Sequence, residues 1–75
     1  MNIEREYYRN GNIRFEKYFT NNELHREDGS AFIYYYDNGQ IKIKQYCING
    51  KCHREDGPAV IQYYKNGSID RKSVV

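Results

Sequence analysis

The sequence predicts an all-β chain, an antiparallel β-meander assembled from repeated hairpins. Three observations predict it. A long motif returns at an offset of 28 residues, Asn-Gly pairs recur at regular places, and the runs between them are rich in Tyr, Ile and Phe. Strands favour aromatic and β-branched residues, and no 3.6-residue helical periodicity competes with them.

The repeat is the strongest of the three signals. His25-Arg26-Glu27-Asp28-Gly29-Ser30-Ala31 returns as His53-Arg54-Glu55-Asp56-Gly57-Pro58-Ala59. Tyr7-Tyr8-Arg9-Asn10-Gly11 returns as Tyr35-Tyr36-Asp37-Asn38-Gly39 and as Tyr63-Tyr64-Lys65-Asn66-Gly67. Ile13, Ile41 and Ile69 keep the same phase, as do Tyr18 and Tyr46. The organisation expected is one β-repeat domain over 1–75, with two full repeats and a partial third.

Asn-Gly favours a type I′ turn, with positive φ at both central residues. Such pairs stand at Asn10-Gly11, Asn38-Gly39, Asn49-Gly50 and Asn66-Gly67, and Asn21-Asn22 replaces one of them. Asn tolerates the left-handed region, so that turn survives too. The strands expected between turns cover about 3–9, 12–20, 23–27, 31–37, 40–48, 51–54, 59–65 and 68–74, with ends uncertain by about two residues.

Two-residue turns would fix the register. Tyr8 is then expected opposite Ile13, Tyr36 opposite Ile41, Tyr64 opposite Ile69, and Tyr34 opposite Ile43, forming a core stripe. Tyr7, Tyr35 and Tyr63 would face Arg14, Lys42 and Asp70. Strict alternation puts Lys17 and Gln45 on the core face, so a bulge is expected near them. Pro58 lacks an N–H, which suits an edge or corner between repeats, and Ser30 in its place predicts a looser first corner.

Composition narrows the function. Nine Tyr bring the aromatic share to 16% in a chain only 39% hydrophobic, so Tyr must build much of the core. The net charge of +2 is too small to argue for nucleic acid by itself. Residues 1–37 carry five Lys/Arg and seven Asp/Glu, a balance of −2, and residues 38–75 carry seven and three, a balance of +4. That asymmetry suits solvated strand faces, head-to-tail pairing or an acidic ligand. No apolar run is long enough for a membrane span, and the opening residues lack a signal-peptide core. A cytoplasmic location is expected.

The Tyr-Tyr-x-Asn-Gly-x-Ile stretches and the His-Arg-Glu-Asp-Gly-Pro-Ala stretch resemble the bacterial and viral MORN-repeat variants. The resemblance covers nearly the whole chain. It implies an all-β hairpin array and a binding role, and it brings no catalytic residue. Some members are labelled antitoxin-like and some occur in phage, so a small member invites the reading of a phage-type inhibitor of a bacterial defence system, or an antitoxin.

Within the motif, a His, Arg, Glu and Asp cluster could hold a phosphate or serve acid/base chemistry. A structural account is favoured, because a turn is copied once per repeat and a catalytic constellation rarely is. His25 is expected to face Tyr18, and His53 to face Tyr46, by stacking, with Asp28 and Asp56 bonding the turn. Cys47 and Cys52 flank a turn and fall opposite each other. Phe19 and Leu24 hold those places in the first repeat, so two buried thiols are expected.

No enzyme, cofactor or metal site is expected. The expected partner is another protein, met by Tyr7, Tyr35, Tyr63, Arg26, Arg54, Lys42 and Lys44, since Tyr and Arg dominate binding hot spots. Open edge strands and a thin core predict a homodimer. The alternatives are a nucleotide or small-ligand sponge, with His25, Arg26, His53 and Arg54 lining a pocket, and a single-stranded nucleic-acid binder.

Overall fold

The computed structural model describes residues 2–55 and 57–73. Among these residues nine strands form: β1 (Asn2–Tyr7), β2 (Ile13–Thr20), β3 (Glu23–Leu24), β4 (Phe32–Tyr35), β5 (Ile41–Gln45), β6 (Cys47–Ile48), β7 (Lys51–Cys52), β8 (Val60–Tyr63) and β9 (Ile69–Ser73). The main sheet runs β1-β2-β4-β5-β8-β9, with β3 paired to β2, and β6-β7 is a separate ribbon. All pairings are antiparallel, and no described residue is helical. The meander is therefore as expected. The single strand expected over 40–48 is divided at Tyr46, where the chain leaves the main sheet for the ribbon. The strand expected over 23–27 keeps only its first two residues. Val74, at the end of the last expected strand, lies outside the described residues.

The turns are of two kinds. Asn21-Asn22 (φ 52° and 64°) and Asn49-Gly50 (φ 50° and 80°) are two-residue turns with both centres left-handed, as expected. The other three differ. Only Gly11, Gly39 and Gly67 have positive φ there, and the preceding Asn does not. Gly11 N donates to Tyr8 O at 3.0 Å, and Tyr8 N donates to Asn12 O at 2.8 Å. Tyr36 and Tyr64 close their loops the same way. This is a three-residue loop, a type I turn followed by a left-handed Gly. The Asn side chain selects it: Asn10, Asn38 and Asn66 each accept the N–H two residues on at 2.9 Å, an arrangement that satisfies the Asn without the left-handed region.

The longer loop shifts the register. Ile13, Ile41 and Ile69 face Tyr7, Tyr35 and Tyr63, not Tyr8, Tyr36 and Tyr64. Tyr34 faces Ile43 as expected. Between these pairs each hairpin slips by one residue, leaving Arg14, Lys42 and Asp70 as extra residues without a cross-strand partner. The bulge thus sits beside the turns, where it absorbs the odd loop length, and not near Lys17 and Gln45.

The core also lies elsewhere. Tyr18, Ser30, Ala31, Cys47, Ala59 and Ile61 are buried, whereas Tyr64 is 53% and Ile69 48% exposed. Tyr8 and Tyr36 are half-buried. The expected stripe of Tyr8, Tyr36 and Tyr64 is not a core, because no second layer covers it; the molecule is 16 Å across its thin direction. Burial concentrates at the corners between repeats. Tyr18 N donates to Ala31 O, Ala31 N to Gln45 O, and Tyr46 N to Ala59 O, each at 2.8 Å. The Ala side chains are small enough to let three segments close on one point. Pro58 occupies such a corner outside any strand, as its missing N–H predicts.

The tyrosines join hairpins edge to edge. Tyr8 Oη donates to Tyr35 O at 2.6 Å, and Tyr36 Oη to Tyr63 O at 2.9 Å. Asn10 Nδ2 donates to Asp37 O at 2.8 Å, and Asn38 Nδ2 to Lys65 O at 3.1 Å. The bulged Arg14 and Lys42 lie over the Tyr8 and Tyr36 rings at 5.4 and 5.6 Å. Each hairpin hands its donors to the next.

Candidate protein-binding groove

The two His-Arg-Glu-Asp-Gly loops follow β3 and β7 and come to lie side by side. His25 N donates to Tyr18 O and His53 N to Tyr46 O, both at 2.9 Å, so the expected backbone pairings form. The stacking partner is different. Arg26 covers the Tyr18 ring at 4.1 Å, and Arg54 covers Tyr46 at 3.9 Å. A planar guanidinium on a long stem reaches across the ring face better than the neighbouring imidazole can.

Gly29 and Gly57 make room for these stacks. A Cβ on Gly29 would stand 3.1 Å from Arg26 Cζ, and one on Gly57 3.3 Å from Arg54 Nη1. Arg26 Nε donates to Asp28 Oδ1 at 3.1 Å, and Nη1 to Ser30 O at 3.3 Å. Asp28 therefore serves the guanidinium, not a turn N–H, because the Arg side chain folds back over its own loop. The matching expectation for Asp56 lies outside the described residues.

Between the loops runs an open groove of about 580 Å³, lined among others by Arg26, Asp28, Tyr46, His53, Arg54 and Glu55. His25 is not part of it. Its Nδ1 accepts the Asn49 N–H at 3.0 Å, and its Nε2 lies 3.5 Å from Glu27 Oε1. The four-residue pocket of His25, Arg26, His53 and Arg54 is therefore not assembled as one site, since His25 is spent on fixing the neighbouring repeat's turn. The groove carries both signs of charge around two ring-backed guanidiniums. It can receive polar and ionic groups of either sign.

The model of the MORN repeat variant family matches residues 2–27 and again residues 31–51. The chain belongs to that family. No curated protein and no solved structure matches it. The match supports a small, repeat-built interaction module. No described helix of this MORN-repeat variant is long and apolar enough to cross a membrane.

The other candidate residues of the MORN variant are dispersed. Tyr7 is 58% exposed near the outer strand's end. Tyr35 is half-buried and donates to Glu16 Oε1 at 2.9 Å. Burial, and then the Glu16 carboxylate, push its hydroxyl up to about 12. Burial works to raise Glu16 itself, but hydrogen bonds from Arg5 (2.8 Å) and Tyr35 outweigh it and hold the carboxyl below its ordinary value. Lys44 lies over the Tyr63 ring at 5.8 Å, while Lys42 lies over Tyr34 and Tyr36. Lys42, Lys44 and Tyr63 thus take part in cation–ring contacts along the sheet, Tyr35 is held by Glu16, and none of them lines the groove of Arg26 and Arg54.

One surface feature escapes sequence reasoning. Phe15 and Tyr34 lie 6.4 Å apart, Phe32 meets Tyr34 edge-on at 6.1 Å, and Lys17 lies over both Phe rings at 4.9 and 5.7 Å. The cluster comes from the β2–β4 pairing, which opposes Phe15 to Tyr34 and Lys17 to Phe32. A hairpin turn specifies the strands it joins; β2 and β4 are separated by a whole loop, so no turn announces their register.

Cys47 and Cys52 are directly opposite, as expected, and both are free. Their sulfurs are 2.9 Å apart. Cys47 is buried, and burial, followed by the Cys52 contact, pushes its thiol up to about 12. Cys52 is only half-buried, a departure from the expected pair of buried thiols, because it lies on the outer arm of the narrow ribbon.

Proposed function

We propose that this MORN-repeat variant is a cytoplasmic protein-binding module with no catalytic role, and that the groove between its two His-Arg-Glu-Asp-Gly loops is where a partner protein docks. The observation that carries this is the pair of Arg-on-Tyr stacks at 4.1 and 3.9 Å flanking one open groove. Ring-backed guanidiniums are rigid anchors of the type that dominates protein interfaces. The carboxylates of Asp28 and Glu55 beside them disfavour a nucleotide or nucleic-acid phosphate and favour a mixed-charge protein surface. Action as a phage-type inhibitor of a defence system, or as an antitoxin, is the finer form of the proposal and rests on family resemblance.

Affinity capture with the chain as bait supplies the test. Arg26→Gln with Arg54→Gln is expected to lower affinity for the captured partner about 30-fold, the effect of a hot spot worth roughly 2 kcal/mol. Retention of that partner at unchanged affinity would overturn the groove. Self-association belongs to the same proposal, supported by β1 and β9 as open edges of the main sheet.

A further inference from the structure

We infer that copies of this chain associate head to tail, β9 of one on β1 of the next, as though a further hairpin were being added to the sheet. This rests on the self-association just proposed and specifies its geometry. Two kinds of side-chain donor pass from each hairpin to the following one: Tyr8 to Tyr35 O and Asn10 to Asp37 O, then Tyr36 to Tyr63 O and Asn38 to Lys65 O. In the third hairpin the corresponding donors are Tyr64 Oη and Asn66 Nδ2. Neither has a hydrogen-bond acceptor among the described residues, and Tyr64 is 53% exposed. At the other end, the corresponding carbonyls of Tyr7 and Arg9 receive no side-chain donor among the described residues.

The register between hairpins extends without adjustment. Phe15 opposes Tyr34 and Ile43 opposes Gln62. Carried one step further, Arg71 stands opposite Glu6 of the next copy, and Ser73 opposite Glu4. The first pair is charge-complementary; Glu6 lies 3.6 Å from Arg14 of its own copy, and its side chain is 55% exposed, which leaves room for a second cation. Lys72 would stand opposite Arg5, whose charge is already matched by Glu16 at 2.8 Å. The β1 edge, with Glu4, Arg5 and Glu6, is net acidic, and the β9 edge, with Asp70, Arg71 and Lys72, is net basic, so the two joining edges are unlike surfaces of opposite charge. Such a heterologous contact leaves two unused ends on every dimer and continues into longer assemblies.

Sedimentation and light scattering on the 75-residue chain test this. Average mass is expected to grow with concentration past the dimer. Glu6→Lys and Arg71→Glu alone should each shift the assembly toward monomer. Mixing the two variants should restore it, because every contact between unlike variants again sets opposite charges against each other. Tyr64→Phe, which removes only the exposed hydroxyl, should weaken association about fivefold. Circular dichroism on each variant verifies the sheet. A dimer that never extends, or variants that mixing does not rescue, overturns the head-to-tail geometry while leaving self-association in place. A strict monomer at millimolar concentration overturns both.

Discussion

Tyr35 shows how much one side chain can carry in a sheet with so little interior. Its hydroxyl donates to Glu16 at 2.9 Å, and its pKa is raised from 10.0 to about 12, first by burial and then by that carboxylate. The folded chain therefore keeps a proton that the unfolded chain releases above 10.0. Stability from this group is complete below that value and is lost as pH rises toward about 12. Tyr35→Phe should flatten the alkaline limb of a denaturation profile across this window, with a loss of roughly 1 kcal/mol at neutral pH. An unchanged alkaline limb would show that the tyrosine is not the titrating group. At this scale the sequence was legible in residue type and not in role. The His-Arg-Glu-Asp-Gly motif marked a structured loop, yet the ring partner was Arg26 and not His25, whose Nδ1 accepts the Asn49 N–H instead; residue type alone does not choose between those two roles.

At the scale of the element, the turns decide the register. Gly39 has φ +91° and open space around it, so Gly39→Ala strains the backbone without any clash. A loss of about 1 kcal/mol is expected, read as a lowered denaturation midpoint. Gly29→Ala differs in kind. A Cβ there meets the flexible end of Arg26 at 3.1 Å, so the cost in stability should be smaller while the guanidinium leaves its ring. Equal losses at both sites would contradict the distinction. The fold class and the places of the turns could be read from the Asn-Gly pairs. The loop length could not, since Asn-Gly also fits a type I turn with a left-handed Gly, and the choice depends on whether the Asn side chain captures its own backbone, as Asn38 does with Gln40 N at 2.9 Å. That one extra loop residue moved the bulge and set Ile13, Ile41 and Ile69 against Tyr7, Tyr35 and Tyr63.

At the scale of the whole molecule, stability accrues between neighbouring hairpins, as in other repeat arrays. The β4–β5 hairpin is flanked on both sides by β2 and β8, whereas among the described residues β1 and β9 are bonded on one side only. Amide exchange should be slowest in β4 and β5 and quicken toward both ends. Uniform protection would indicate a single cooperative unit instead. The molecule is 16 Å through, and its burial is concentrated at the corners and not between two layers. The aromatic cluster of Phe15, Phe32 and Tyr34 keeps part of its surface open to solvent, because lysine side chains and not a second layer lie over its rings. Strand pairing and the lysines above the rings, in place of a second layer, hold this side of the slab together.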